Sequence, residues 1–227
     1  LLGDGKDLGI SLVYKEQKSP DGLAQAFIIG EEFIGSEDVC MILGDNIFNG
    51  NGFSNLLNKS IKNVKDLKMA TIFGYYMNDP KSYGVLELDS NGEIISIEEK
   101  PKIPKGNHAV VGLYFYPNSV INIAKKIIPS KRGELEITSV NLEFLKKGNL
   151  MVEMMGKGFA WLDTGTHESL RQASEYIELI EKRQGIKIGC IELVAYEMGF
   201  INEKQLLKLV KPMKNTSYGK FIMDKLK

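Results

Sequence analysis

Two aspartates follow short apolar runs, and their carboxylates are the groups best suited to chemistry. Asp45 comes after the run 39–43 and a glycine, and Asp163 comes directly after 159–162. Runs of this length predict buried strands, and open α/β sheets bind ligands at the carboxyl ends of their strands. Two such carboxylates could hold a divalent cation, most favourably Mg²⁺ with water or phosphate as its other ligands. A simple turn at Gly-Asp-Asn is the alternative for Asp45.

The elements that must position Asp45 begin with an alternating stretch. Apolar residues alternate with others over 8–14, which predicts a strand. A loop of turn-forming residues spans 15–22, and 23–32 has a helical pattern that closes near Gly35. Strand, loop, helix and the strand before Asp45 together make a βαβ crossover, which predicts a parallel sheet.

The remaining pattern predicts an α/β fold: a Rossmann-like mixed, mainly parallel sheet flanked by helices, with a helical C-terminal tail. Strands are expected at 69–76, 83–88, 94–100, 109–116, 150–155 and 159–162, the second and third forming a hairpin and the last two a pair. Helices are expected at 54–62, 118–128, from Gly133 onward, and at 168–183, 191–200, 202–210 and 218–226. We therefore predict an α/β core over 1–166 and a helical subdomain over 167–227.

Composition excludes several classes of protein. The 227 residues include 29 basic and 29 acidic ones, and this balance argues against a nucleic-acid partner. Cys40 and Cys190 lack the spacing of a metal site, which favours two reduced thiols. No stretch approaches the roughly 20 apolar residues that span a bilayer, and no signal peptide opens the chain. We expect a cytoplasmic protein without a membrane partner.

Seven stretches, found in one order along most of the chain, together resemble the sugar-1-phosphate nucleotidylyltransferases. Singly, motifs such as Gly-Asp-Asn or Tyr-Gly-Val are weak, but the combination is specific. The stretches are 17–26, 43–48, 83–85, 98–101, 112–116, 132–138 and 160–166.

The resemblance implies transfer of a thymidylyl group from dTTP to glucose 1-phosphate, giving dTDP-glucose and pyrophosphate. It also implies Mg²⁺ as cofactor, a homotetramer, and a place in a deoxysugar pathway of the dTDP-rhamnose type. The attacking phosphate oxygen is already an anion, so such a protein needs no general base. Its task is to hold two anions together against their repulsion.

The resemblance also assigns roles to individual residues. Asp45 and Asp163 would bind Mg²⁺, and Lys100 and Arg132 would contact the sugar phosphate as the other catalytic residues. The nucleotide would be held by Gln17, Pro20, Asp21 and Gly22, with Gln17 reading the base edge. The sugar pocket would be lined by Asn46, Tyr83, Gly84, Glu99, Val110 and Trp161.

One departure from the family concerns its Gly-rich phosphate loop, which follows the first strand and has no counterpart here. Because the sequence also opens at Leu1 without methionine, we expect that the front of the domain is missing and that this chain by itself is inactive. Two alternatives therefore stay open. The protein could be a non-catalytic nucleotide-sugar-binding form or pseudoenzyme, or a relative that uses another nucleoside triphosphate.

Overall fold

The computed structural model describes residues 2–226, which form two compact units. The larger unit is Lys15–Leu170, and the smaller joins the residues up to Tyr14 with those from Arg171 onward. The sequence did not predict that the N-terminal residues would group with the C-terminal ones. The predicted division at 166 and 167 stays a prediction, and its outer ends, Leu1 and Lys227, lie outside the described residues.

The strands of the larger unit are β1 (Val39–Ile42), β2 (Asn46–Asn49), β3 (Ala70–Tyr76), β4 (Gly84–Leu88), β5 (Ile94–Glu99), β6 (His108–Tyr116), β7 (Leu150–Met155) and β8 (Ala160–Asp163). The helices of the chain are α1 (Gln25–Ile29), α2 (Glu31–Ile34), α3 (Phe53–Leu67), α4 (Val120–Ala124), α5 (Ile137–Lys146), α6 (His167–Gln184), α7 (Ile191–Glu197), α8 (Glu203–Val210) and α9 (Ser217–Lys225).

The main sheet has the order β5-β4-β6-β3-β7, with β1 also paired to β6, and β2 and β8 form a separate two-stranded sheet. A mixed sheet flanked by helices is therefore confirmed, as is the hairpin of β4 and β5. The β3–β7 ladder is parallel, whereas the other ladders of the described strands are antiparallel, so the expected majority of parallel strands is not found there.

Strand β6 is the centre of the fold because its long apolar run is buried on both faces. Tyr114 and Tyr116 belong to one core, which α1, α4 and α5 cover, while Leu113 and Phe115 belong to a second core, which α3 covers. Successive side chains of a strand point to opposite faces, and this alternation lets one strand serve two cores.

The predicted strand at 8–14, and with it the βαβ crossover, is wrong. A short 3₁₀ turn at Lys6–Leu8 is followed by irregular chain, and β1 runs antiparallel to β6. Gly5 and Gly9, with φ of 82° and 70°, hold backbone conformations that an extended strand does not contain. A Cβ on Gly9 would lie 2.2 Å from the carbonyl oxygen of Phe200, so this glycine lets two chain segments touch.

The predicted pairing of 150–155 with 159–162 is also wrong. Strand β7 pairs in parallel with β3, and β8 pairs with β2, although a glycine turn separates the two strands in sequence. A Gly-x-Gly turn permits a hairpin but does not choose the partner of either strand. Here the partners come from distant parts of the chain.

The smaller unit has its own apolar core, which includes Leu193, Leu206, Val210 and Ile222. Helix α8 begins with a capping box: the side chain of Asn202 accepts from the backbone N–H of Gln205, and the side chain of Gln205 accepts from the backbone N–H of Asn202. No helix within the described residues is long and apolar enough to cross a membrane.

Candidate active site

A cleft of about 250 Å³ opens within Lys15–Leu170. Its walls come from the β1–β2 connection, the end of β8, the start of the β4–β5 hairpin and the segment that leads into α5. The cleft brings together every residue predicted to be catalytic or sugar-binding: Asp45, Asn46, Tyr83, Gly84, Glu99, Lys100, Val110, Arg132, Trp161 and Asp163. Their roles stay predictions, but their convergence on one cavity does not depend on any assigned role.

The antiparallel β2–β8 ladder brings the two aspartates together. Asn46 lies opposite Asp163 in this ladder, so Asp45 flanks the same end of the sheet. The backbone carbonyl of Asp45 accepts from the N–H and the hydroxyl of Thr164, each at 2.9 Å. A Cβ built on Gly165 would lie 3.1 Å from Asp163 Oδ1 and 3.7 Å from Asp45 Oδ2. Both carboxylates therefore border one small space.

This donor set suits Mg²⁺. The described chain holds no group of three or more His, Cys, Asp or Glu side chains that could bind a metal ion. Mg²⁺ is usually bound by only one or two carboxylates and takes its other ligands from phosphate and water. Asp45 and Asp163, both accessible from the cleft, match that pattern better than a site enclosed by protein ligands.

The phenol of Tyr83 links the aspartates to the aromatic wall of the cleft. Its ring meets the ring of Trp161 edge to face, with 4.8 Å between centroids, and its phenol lies close enough to Asp163 and Asp45 to be affected by their charges. Burial, followed by the negative charges of Asp163 and Asp45, raises the pKa of Tyr83 to about 12. The phenol therefore stays protonated and remains a hydrogen-bond donor.

Arg132 is held by carboxylates. Its Nε and Nη2 bond to Glu136 Oε1 at 3.1 and 2.8 Å, and its Nη2 lies 3.5 Å from Glu99 and 3.4 Å from Glu134. Glu136 is buried and also accepts from the hydroxyl of Ser130 at 2.7 Å. The hydrogen bonds to Glu136 raise the pKa of Arg132 above its usual value. The guanidinium is thus oriented before any ligand arrives.

Glu99 is oriented by a buried hydroxyl. Thr138 Oγ1 donates to Glu99 Oε2, and Gly84 lies beside both, since a Cβ there would come within 3.1 Å of Thr138 Oγ1. A carboxylate has acceptor positions left after one such bond, so Glu99 can still accept from hydroxyls of a ligand.

Lys100 has an unusual backbone conformation. Its φ is 45°, in the left-handed region, and its N–H donates to the carbonyl of Tyr83 at 3.0 Å. A non-glycine residue in this region stores strain, which is common where a side chain must be aimed. Within residues 2–226, Lys100 forms no ion pair, so its ammonium group is available to an anion in the cleft.

The loop predicted to bind the nucleotide lies beside the cleft, which it reaches at Leu23. Gly22 has a φ of 104°, and a Cβ there would lie 2.4 Å from the carbonyl oxygen of Leu135, so only glycine fits. Leu135 in turn donates its N–H to the carbonyl of Asp21 at 2.6 Å. In the described chain, none of the four residues predicted to bind the nucleotide lines the cleft: Gln17, Pro20, Asp21 and Gly22.

Sequence reasoning missed the residues that orient the predicted ones. Glu134, Glu136 and Thr138 line the cleft and contact Arg132 or Glu99, yet none was assigned a role. The sequence does carry a pattern that indicates them: a polar residue stands at every second position from Arg132 to Thr138. This alternation is typical of an extended segment with one polar face. The sequence instead predicted a helix from Gly133, whereas α5 begins at Ile137.

Tyr114 is a second omission. It lies on β6, is almost fully buried, and lines the cleft. Burial, and after it the charge of Glu99, raises its pKa above the usual value. Its position in a continuous apolar run indicated only a core residue, and nothing in the pattern distinguished it from its neighbours.

Comparison with known sequences places this cleft among enzymes. Residues 1–179 match a family model described as Nucleotidyl transferase. The glucose-1-phosphate thymidylyltransferase of Neisseria meningitidis is 47% identical over 227 residues, which are 100% of this chain and 78% of that protein. The glucose-1-phosphate thymidylyltransferase of Mycolicibacterium smegmatis is 47% identical over 226 residues, with 100% of this chain and 77% of that protein covered.

Solved structures support the same fold. A Bacillus anthracis protein assigned as a glucose-1-phosphate thymidylyltransferase, crystallised with a sucrose, has a TM-score of 0.67 and 39% identity, with 77% of this chain and 68% of that chain covered. A UDP-glucose pyrophosphorylase in complex with UDP-glucose has a TM-score of 0.64 at 23% identity, over 72% of this chain and 64% of its own. The second likeness concerns the fold alone.

Proposed function

The chain belongs to the nucleotidyl transferase family, among the glucose-1-phosphate thymidylyltransferases, and from this premise we propose how its cleft serves that reaction. A phosphate oxygen of glucose 1-phosphate attacks the α-phosphorus of dTTP and forms a new P–O bond. The bond from that phosphorus to the bridging oxygen of the β-phosphate breaks, and pyrophosphate leaves with the electron pair. No proton has to be removed from the nucleophile.

Residues of the cleft oppose the repulsion between the two anions. Lys100 presents a free ammonium group, and Arg132 presents a guanidinium that Glu136 already orients. The two cations would hold the phosphate of the sugar substrate in line with the α-phosphorus. Glu99, fixed by Thr138, would accept from sugar hydroxyls.

Asp45 and Asp163 would hold Mg²⁺, which when bound offsets the charge of the triphosphate and of the leaving pyrophosphate. The observation that carries this proposal is the pairing of β2 with β8, which brings the two carboxylates to one small space in the same cleft as Lys100 and Arg132. The protonated phenol of Tyr83 lies near Asp163 and can donate to that carboxylate.

The experiment is an assay of pyrophosphate release from dTTP and glucose 1-phosphate with increasing Mg²⁺, on the protein with the family's Gly-rich phosphate loop present. Asp163→Asn keeps an oxygen that can accept from Gly165 N–H, a bond of 3.0 Å here, but loses the charge. We expect kcat to fall about 100-fold or more, since metal stabilisation of the transition state amounts to several kcal/mol. Asp66→Asn on α3, outside the cleft, is the matched control. Wild-type turnover in Asp163→Asn would contradict the metal assignment.

Base selection is proposed to depend on Gln17. The amide nitrogen of Gln17 donates both of its hydrogens, to the carbonyl oxygen of Gly22 at 3.1 Å and to Gln25 Oε1 at 2.7 Å. Its oxygen has no partner among the described residues and can accept a hydrogen bond. Thymine carries an N–H at its pairing edge, whereas cytosine carries an acceptor at that position, so this oxygen favours thymine.

A substitution pair tests this role in base selection. Gln17→Ala should reduce the preference for dTTP over dCTP, measured as a ratio of kcat/KM values, because it removes the accepting oxygen. Gln17→Glu keeps that oxygen and should retain more of the preference. An unchanged ratio in Gln17→Ala would show that another group reads the base.

We also propose that the protein forms a homo-oligomer, in line with the predicted tetramer. Helix α7 exposes the apolar side chains of Ile191 and Val194, and Met198 and Phe200, which follow the helix, are exposed as well. Exposed apolar patches of this kind favour protein interfaces. Val194→Lys should lower the molecular mass measured by light scattering, and an unchanged mass would exclude α7 from the interface.

A further inference from the structure

Asn46 lies where three strands meet. It begins β2, opposite Asp163 of β8. Its side-chain oxygen accepts from the backbone N–H of Gly112 on β6 at 3.0 Å and from Trp161 Nε1 at 2.6 Å. Its side-chain nitrogen donates to Asp45 Oδ1 at 2.8 Å. One amide group thus joins the two sheets and the first aspartate of the cleft.

The chemistry of its neighbours fixes the orientation of this amide. The backbone N–H of Gly112 and the indole N–H of Trp161 can only donate, so the amide oxygen must face them. The –NH₂ group is then turned toward Asp45, whose carboxylate can only accept when ionised. The oxygen has two lone pairs and both are used, so the protein itself takes the full accepting capacity of Asn46.

The absence of a side chain at Gly112 makes this arrangement possible. A Cβ there would lie 2.6 Å from Asn46 Oδ1 and 2.7 Å from the side chain of Leu43. Real Cβ atoms do not approach other atoms so closely. The strand therefore admits the amide only at a glycine, which is the one glycine of β6.

The contacts continue around the cleft and close on the second aspartate. Trp161, held by Asn46, packs its ring against Tyr83, which lines the same cleft as Asp163. Asn46 therefore acts on Asp45 directly and on Asp163 through two aromatic rings. The same amide therefore contacts the first carboxylate and supports the aromatic wall beside the second.

We propose that Asn46 is a positioning residue that holds Asp45 and Trp161 in the geometry needed to bind the divalent cation. This role rests on the proposed function and differs from the sugar contact that the sequence predicted for Asn46. Positioning predicts a defect in metal binding and in kcat, whereas a sugar contact made equally in ground and transition states predicts a higher KM for glucose 1-phosphate with kcat unchanged.

The test uses Asn46→Ala with Asn49→Ala as matched control. Asn49 lies on the same strand, opposite Ala160, and its side chain has no hydrogen bond among the described residues. Because Trp161 is the one tryptophan of the sequence, its indole N–H gives a single signal in a ¹⁵N–¹H spectrum. In Asn46→Ala this signal should shift and exchange faster with water, and it should stay in place in Asn49→Ala.

Cation affinity is measured with Mn²⁺ alone, from the free ion seen by electron paramagnetic resonance. Loss of a group that orients a metal ligand weakens metal affinity by about 10- to 100-fold, and we expect this range for Asn46→Ala. The Mg²⁺-dependent kcat should fall while KM for glucose 1-phosphate changes less. A raised KM with unchanged kcat and Mn²⁺ affinity would overturn the proposal in favour of a sugar contact.

Asn46→Asp is a second variant that tests the proposal even if Asn46→Ala does not fold. It keeps an oxygen for Gly112 and Trp161, so the indole signal should remain near its wild-type position. It cannot donate to Asp45 and repels it, so kcat should still fall. Wild-type kcat in Asn46→Asp would overturn the proposal. If the wild-type protein, with the family's Gly-rich phosphate loop present, released no pyrophosphate from dTTP, the proposed function would fail, while the indole and Mn²⁺ results would still decide the role of Asn46.

Discussion

Replacement of Gly165 by alanine separates cation binding from stability more cleanly than removal of a carboxylate. Gly165 is exposed and does not have a positive φ, so its backbone accepts an L-residue. The added methyl would lie 3.1 Å from Asp163 Oδ1 and 3.7 Å from Asp45 Oδ2. It would occupy the space that both carboxylates border, without changing any charge.

The magnitude follows from these distances. Mg²⁺ requires oxygens at about 2.0–2.1 Å in near-ideal octahedral geometry. A methyl carbon at 3.1 Å is closer than ordinary contact. Either Asp163 must therefore move by a few tenths of an ångström, or the cation must lose one of its bound waters. We expect Mg²⁺ affinity to fall about tenfold, equal to about 1.4 kcal/mol. Folding stability should stay level or rise by about 0.4–1 kcal/mol, since alanine restricts the unfolded chain.

Gly156→Ala is the matched control, because Gly156 is also exposed, also lacks a positive φ, and has no atom within 4 Å of its would-be Cβ. The assay is Mg²⁺ dependence of pyrophosphate release, with the thermal midpoint measured on the same samples. Equal Mg²⁺ dependence in the two variants would refute the idea that the carboxylates share one cation. A large loss of stability in Gly165→Ala alone would refute the inference that its backbone accepts alanine.

Three further substitutions test contacts described above. Thr138→Val removes the donor to Glu99 at nearly constant shape. It should raise KM for glucose 1-phosphate about tenfold, since a hydrogen bond to a charged group contributes about 1.5–3 kcal/mol. Thr138→Ser keeps the donor, and its KM should stay near that of the wild type. Lys59→Met leaves the buried carboxylate of Glu153 without its partner and should lower the free energy of unfolding in urea by about 1–3 kcal/mol; an unchanged midpoint would show that solvent reaches this carboxylate. Asn202→Ala removes the cap of α8 and should cost about 1 kcal/mol, visible as a lower thermal midpoint, and an unchanged midpoint would show that α8 does not limit stability.

Local patterns predicted the helices and strands more reliably than they predicted strand partners. Asp45 and Asp163 were identified because a short apolar run ending in a carboxylate is a local signal, and both residues line the cleft. The hairpin of β4 and β5 was predictable for the same reason, since its turn residues lie between its strands. The partners of β7 and β8 were not, because pairing with β3 and β2 depends on contacts far apart in sequence.

The residues that orient the side chains of the cleft could not be identified from the sequence, for a different physical reason. Glu136 looks like a surface charge in the sequence, yet it is buried because Arg132 and Ser130 satisfy its oxygens. Asn46 looks like part of a turn, yet it fills the gap that Gly112 leaves in β6. Burial of a polar group depends on the partner that it finds, and that partner is fixed only by the tertiary structure.

The carboxylates around Arg132 also affect how quickly substrates arrive. In the lining of the cleft, Asp45, Asp163, Glu99, Glu134 and Glu136 outnumber the cations Lys100 and Arg132. The field at the entrance therefore repels a free triphosphate, and added salt should speed its association by screening that repulsion. A triphosphate that carries its own divalent cation has less charge to repel and should enter faster. Encounter rates, as well as bound geometry, should therefore differ between the free nucleotide and its metal complex.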